Sequence, residues 1–283
     1  MNIETRNKLI GLSFISLWFI GFLAFWALPL GFSFFMSLNH VAIQTDRLDF
    51  EFVGFDQYHR ALFQDAEIPN VTLLFLAQSA IIIPVIVVFA IIMALLLNQK
   101  FPGRGIARAI FFLPVVLTSG NLINELTQQD QGTLGFLQSV TVMNMVENLP
   151  STWAVAVTNV LEGFLMVLWY SGVQMLLLIA GMQSINPSTY EAAKIDGANE
   201  WASLWLITLP GISPFIFIAI VYTIVDQFTA PFNPVLEVIM THFQTPQTGY
   251  GYASAIAWIY FAVILLIMAF VVLIFRKSLS ERT

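Results

Sequence analysis

The chain of 283 residues contains no cysteine, which excludes a disulfide framework, thiol catalysis and a zinc–thiolate site together. Histidine is nearly as scarce. His40, His59 and His242 all lie outside the long apolar runs, so the sequence supplies no histidine cluster for an intramembrane metal. Charge is the third shortage: 10% of residues are Asp, Glu, Lys or Arg, against about 25% in an ordinary soluble domain. There is no G-x-x-x-x-G-K-[ST] loop to hold a nucleotide phosphate, and Gly103-Arg104-Gly105 is too short to act as one. H-E-x-x-H and G-x-S-x-G are also missing, so the sequence presents no recognisable catalytic set, cofactor site or metal site.

Hydrophobicity fills the space that charge leaves. Apolar residues make up 58% of the chain and the mean hydropathy is +0.81, so most of the chain cannot sit in water. Six apolar segments stand out, at 9–37, 71–97, 107–126, 160–182, 212–232 and 254–275. Each is long enough for a helix to cross a hydrocarbon core of about 30 Å. The expected fold class is all-α: a polytopic membrane protein with six transmembrane helices in a single domain over residues 1–283. The first run is too long for the core of a cleavable signal peptide and reads as a retained span that tilts or kinks near Pro29. Pro84 predicts a kink in the second.

Lys and Arg orient these spans. Arg6 and Lys8 precede the first; Lys100, Arg104 and Arg108 lie between the second and third; Lys194 lies between the fourth and fifth; Arg276, Lys277 and Arg282 follow the sixth. Of eleven basic residues only Arg47 and Arg60 fall on the other side. By the positive-inside rule the richer face is cytoplasmic, and six spans with both termini inside reproduce the split. The opposite face collects Asp46, Asp49, Glu51, Asp56, Asp65 and Glu67, in a 39–70 loop whose aromatics (Phe50, Phe52, Phe55, Tyr58) predict a small lid. A second outer loop, 127–155, is polar.

The inner loop after the fourth span reads NPSTYEAAKIDGANEWASLWLITLPGISP over 186–214. Pro187 ends the fourth helix. Ser188-x-x-Glu191 has the spacing of a capping box, and Gly197 suits a left-handed terminator. The pattern predicts a helix of about nine residues, Ser188 to Asp196, and helices under about 12–15 residues are marginal in water. Something beyond its own backbone has to hold it.

This loop resembles the EAA signature of the membrane subunits of binding-protein-dependent ABC importers. Glu191, Ala192, Ala193, Gly197, Ile207, Leu209 and Pro210 match it with no spacing error, and Asp196 and Ala198 extend the match. Lys100-x-Pro102-Gly103-Arg104-Gly105 before Phe111-Phe112-Leu113-Pro114, the run from Trp169 to Ile185, and Tyr250-Gly251-Tyr252-Ala253-Ser254-Ala255 are similar to the carbohydrate branch of that family, in particular to the first permease of maltose- and glycerol-phosphate-type systems. After the fifth span the chain departs from many relatives, with Phe232-Asn233-Pro234-Val235-Leu236-Glu237 in place of a Thr-x-Gly-Gly-Pro.

The resemblance implies a type I ABC importer permease fold and a subunit of a bacterial or archaeal cytoplasmic membrane that hydrolyses nothing itself. It implies a second homologous permease, two ATP-binding subunits that carry ATP and Mg, and an extracytoplasmic solute-binding protein; nothing points to nucleic acid. In relatives the EAA helix docks in a groove of the ATPase. The coupling residues are then Glu191, Ala192, Ala193, Asp196, Gly197, Ala198, Leu209 and Pro210. Glu191 can pair with a basic residue of that partner, cap its own helix, or do both.

Polar groups inside spans are functional candidates because each is expensive there. Asp226 and Gln227 lie in the outer part of the fifth span, Glu162 near the outer edge of the fourth, and Asn121, Asn124 and Glu125 at the end of the third. A sugar site needs hydrogen-bonding groups and flat aromatic faces. The pathway candidates are therefore Asp226, Gln227, Glu162, Tyr170 and Gln174, weighed against lipid-facing belts and interhelical glue. A secondary transporter or channel is the alternative; it calls for an ion site or repeat-related broken helices, and the sequence has no internal repeat of that kind.

Overall fold

The computed structural model describes residues 13, 15–44, 47–118, 151–231, 233–245 and 249–280, most of them helical. In chain order these are α1 (Ile15–Ser37), β1 (Asn39–Gln44), β2 (Arg47–Phe52), α2 (Asp56–His59), α3 (Glu67–Asn98), α4 (Arg104–Thr118), α5 (Ser151–Ser184) and α6 (Pro187–Ile195). They continue with α7 (Glu200–Gly211), α8 (Ser213–Phe228), α9 (Pro234–Gln244) and α10 (Gly249–Ser280).

Four of these helices are long and apolar enough to cross a membrane: α1, α3, Met166–Ser184 within α5 and Gly249–Arg276 within α10. A fifth candidate is the pair α7 and α8, bent by 64° where they meet. The third expected span is described only as far as residue 118, so Asn121, Asn124 and Glu125 lie outside the described residues, as do Arg6, Lys8 and Arg282. The helices overrun the expected segments. α5 begins at Ser151, where no Gly or Pro separates the helix start from the apolar run, and α10 runs from Gly249 to Ser280 with Gly251 inside it. Pro84 sits inside α3 without interrupting it. The fifth segment is shorter than expected, with α8 ending at Phe228 instead of residue 232.

Two compact units emerge: Met1–Leu74 with Pro234–Val263, and Phe75–Asn233 with Ile264–Thr283. In the first, α1 contains a widened turn at Leu23–Ala27, where Leu28 N–H reaches back five residues to Leu23 O. The reason lies one residue on: Pro29 has no N–H to donate to the carbonyl four residues back, and the turn before it relaxes. α1 ends where Asn39 Nδ2 donates to Phe35 O at 2.6 Å. The 39–70 stretch is more ordered than a loop lid. β1 and β2 pair antiparallel from Asn39 opposite Phe52 to Gln44 opposite Arg47, so the all-α expectation meets one hairpin. Ser37 and Tyr58 join their hydroxyls at 2.6 Å, and Val41 is buried. The start of α10 closes on the same hairpin: the carbonyl of Asn39 occupies the place of a Cβ at Gly251, and Gly249 (φ +65°) leaves only 2.7 Å between such a Cβ and Val41 O.

The second unit is built on α3, α4, α5 and α8. Ala90 and Ala94 of α3, four residues apart, bury completely beside Leu97, Met175, Leu178, Ile179, Met182, Ile212 and Ala219. Small residues at helical spacing let backbones approach, and in a bilayer such close packing replaces the hydrophobic effect as the force between helices. Gly181 does the same: the Phe215 ring begins 2.6 Å from where a Cβ would stand. A smaller cluster joins Ile86, Val167, Tyr170 and Ala230.

Candidate functional site

The inner loop folds as three pieces. α6 starts at Pro187, whose fixed φ suits the first helical position. Its N-cap is Asn186, whose side chain accepts from Ser188 N–H at 3.1 Å. The expected Ser188–Glu191 capping box is therefore replaced by an Asn cap two residues upstream, because Asn186 already has the extended backbone a cap requires. The helix closes one residue earlier than expected, at Ile195. Gly197 (φ +84°) donates to Lys194 O at 3.1 Å and Ala198 donates to Ala193 O at 2.9 Å, the paired bonds of a Schellman terminator.

No residue of α6 is buried. Glu191, Ala192, Asp196 and Gly197 are exposed, while Ala193, Ala198, Ile207, Leu209 and Pro210 are half-buried. The carboxylate of Glu191 has no salt bridge among the described residues; Lys194 pairs with Glu200 at 3.7 Å across the turn. The hydrogen bond that ties α6 to α7 joins the hydroxyls of Tyr190 and Thr208 at 3.0 Å, and Thr208 Oγ1 also donates to Ser203 O. Sequence reasoning missed Tyr190, although its position next to Glu191 and the hydroxyl at 208 were both in view.

α7 repeats the device of α1. Its Leu204–Thr208 turn is widened, with Leu209 N–H on Leu204 O, one residue before Pro210. Gly211, Ile212 and Pro214 then allow the 64° turn into α8.

The pathway candidates separate into two kinds. Tyr170 and Gln174, one turn apart on α5, face Thr223 and Gln227, one turn apart on α8. Gln174 Nε2 donates to Thr223 Oγ1 at 3.0 Å, and Thr223 in turn donates to Ala219 O at 2.7 Å. All four are buried, and the Oε1 atoms of Gln174 and Gln227 have no partner among the described residues. Asp226 is half-buried and lies within electrostatic reach of the Tyr170 and Tyr222 hydroxyls. Glu162 belongs to α5 at a position whose side chain is outside the described residues. Asn233, where the chain departs from the Thr-x-Gly-Gly-Pro pattern, donates from Nδ2 to Phe228 O at 2.9 Å and so closes the end of α8.

A second polar feature was not expected. In the first unit a cleft of about 450 Å³ is lined by residues that include His40, Glu51, Asp56, His59 and Arg60. Beside it Arg60 lies 4.5 Å over the Tyr252 ring, and Tyr252 donates from its hydroxyl to Asp65 Oδ2 at 2.7 Å. Burial would raise the Asp65 pKa, yet this bond, the backbone N–H of Glu67 and the nearby His242 outweigh it and hold the carboxyl below its ordinary range.

A short exposed helix carrying this signature, on a bundle of apolar helices, can be compared with known proteins. The family described as binding-protein-dependent transport system inner membrane component matches residues 72–283. The chain belongs to that family. The permease is 28% identical to the probable ABC transporter permease protein YesP of Bacillus subtilis over 97% of this chain and 92% of that one. To the multiple sugar-binding transport system permease protein MsmF of Streptococcus mutans it is 29% identical, over 92% and 93%. Among solved structures it matches a bacterial alginate ABC transporter in complex with an alginate pentasaccharide-bound periplasmic protein, at 20% identity and a TM-score of 0.63 over 97% of this permease and 96% of that chain. The permease therefore has the type I importer permease fold and is a membrane-embedded subunit of a binding-protein-dependent importer.

Proposed function

We propose that this permease forms half of an ATP-driven pathway for a sugar or oligosaccharide, pairing with a second homologous permease and two ATP-binding subunits in a cytoplasmic membrane. It has six spans with both termini in the cytoplasm, and it takes solute from an extracytoplasmic binding protein. ATP and Mg are handled by the ATP-binding subunits, and this chain hydrolyses nothing. The observation that carries the reading is α6: a nine-residue helix that bears the Glu191-Ala192-Ala193 start of the EAA signature, capped at both ends and without a buried residue. So short a helix with no core of its own is shaped to be gripped by a partner. Glu191, Ala192, Ala193, Asp196, Gly197 and Ala198 form the docked knob; Leu209 and Pro210 carry its displacement into α8.

The sugar assignment draws on the relatives and on chemistry. Two unpartnered amide oxygens, a carboxylate and tyrosine faces suit a hydroxyl-rich solute. Asp226 is the accessible member, with Tyr170, Gln174 and Gln227 in the seam behind it, and Glu162 completes the set. Transport proceeds by alternating access: the ATP-bound state opens outward, and hydrolysis resets the cavity inward.

The test is a pull-down of tagged permease from native membranes, wild type against a variant with Glu191→Lys and Gly197→Leu, with ATPase activity assayed in the eluate. Wild type should bring down an ATPase and a second permease, and the variant should keep the permease while losing the ATPase. A folded wild-type chain that purifies alone defeats the proposal.

A further inference from the structure

α7 is built inside out. On its inward side stand the hydroxyl residues Ser203 and Thr208, each 7% exposed, while Trp201, Trp205 and Leu206 face outward at 67%, 53% and 75%. The inward hydroxyl of Thr208 is satisfied by Tyr190 and Ser203 O, so nothing polar needs the outer face. That outer face holds two tryptophans in edge-to-face contact at 5.6 Å and a leucine. Water is a poor neighbour for such a surface.

Length identifies the neighbour. α8 has 16 residues, or about 24 Å at 1.5 Å per residue, which falls short of a hydrocarbon core of about 30 Å. The 12 residues of α7, inclined at 64°, add roughly 8 Å along the same axis. Together they match the core and bring Trp201 to its edge. From Trp201 to Val225 the chain has no charged residue, and the nearest charges that precede it are Glu200, Asp196 and Lys194, of which Glu200 and Lys194 are paired. The exposed side of α8 continues the apolar surface through Ile218 and Val225, 46% and 43% exposed. Tryptophan prefers the depth where acyl chains meet headgroups.

We infer that α7 is a lipid-seated helix: Trp201, Trp205 and Leu206 lie in the headgroup–acyl boundary of the bilayer, on the leaflet that the proposed function makes cytoplasmic. The partner is the phospholipid surface; the ATPase groove takes α6. The two helices thus divide the loop, one held by protein and one by membrane, with the Tyr190–Thr208 bond between them.

The absence of cysteine in this chain makes the test direct. Trp201→Cys, Trp205→Cys, Leu206→Cys and Ile195→Cys would each be labelled with a nitrobenzoxadiazole fluorophore. The whole complex is then reconstituted in phosphatidylcholine–phosphatidylglycerol vesicles containing lipids with a nitroxide at the headgroup, near the top of the acyl chain or at its end. Unsubstituted complex labelled in parallel supplies the background from partner chains. Emission at 201, 205 and 206 should be lost most with the nitroxide near the top of the chain, while Ile195, 87% exposed on α6, should keep its emission with every lipid. Any one of the three sites that retains ATPase in the eluate is sufficient to decide. Emission at 201, 205 or 206 that no nitroxide lipid reduces overturns the inference and assigns this face to protein or water. Absence of ATPase from the unsubstituted complex is a different result, and sinks the proposed function instead.

Discussion

Gly181 and Asp65 show how much single positions decide. A methyl group at 181 would stand 2.6 Å from the root of the Phe215 ring, which cannot swing away as a side-chain tip can. Gly181→Ala is therefore expected to destabilise the α5–α8 contact by about 1–3 kcal/mol, read as a lower thermal midpoint in detergent; an unchanged midpoint would show that the helices are free to separate. The Asp65 carboxyl is depressed in the folded protein. The stability it contributes is complete above its ordinary value and is lost as pH falls through the lowered one. Tyr252→Phe removes the hydroxyl that donates to Asp65 and should move its titration upward, which carboxyl ¹³C shifts would track; a titration unmoved by the change would mean that the bond is idle. The sequence showed the residues of the signature but not their geometry. Ser188 has the spacing of a cap, yet Asn186 holds the position because backbone conformation, not spacing, selects the cap. Asn233 looked like a departure from a pattern and is a helix terminator.

At the scale of elements, two widened turns are closed by an N–H one residue before a proline, Leu28 before Pro29 and Leu209 before Pro210. Both arise from one missing N–H. Pro210→Ala restores the donor, so α7 should tighten to ordinary helical pairing and transmit less of the α6 movement. Uptake is expected to fall several-fold while ATPase capture stays at the wild-type level, and wild-type uptake would argue that the turn is passive. Arg108 adds a smaller device, donating to Leu97 O at 2.8 Å and so closing the end of α3. The helices were legible because their apolar runs exceed anything a soluble fold needs. The hairpin was not. Alternation in Asn39–Gln44 is short, and the aromatics and acids of 47–56 read equally well as loop.

For the molecule as a whole, composition carried most of the information about fold class, since a bilayer leaves few ways to satisfy backbone groups. What they could not give is which polar residues meet one another: Gln174 finds Thr223 across 49 positions of chain, and only the folded arrangement brings them together. The widened turn at Leu204–Thr208 has a further implication. Such a turn absorbs one residue more than regular helix would, and each helical residue rotates the chain before it by about 100°. The number of residues between Gly197 and Pro210 is thus a setting of angle as well as of distance. Inserting a second isoleucine beside Ile207 would leave the apolar character of the segment intact, but the turn already holds one residue in excess, so the tryptophans would turn about a quarter of the way round. Uptake should then fail although an Ile207→Val exchange is tolerated, a contrast that a transport assay on the two variants would display. On this segment an added residue is excluded by geometry, even where a conservative apolar exchange such as Ile207→Val is harmless.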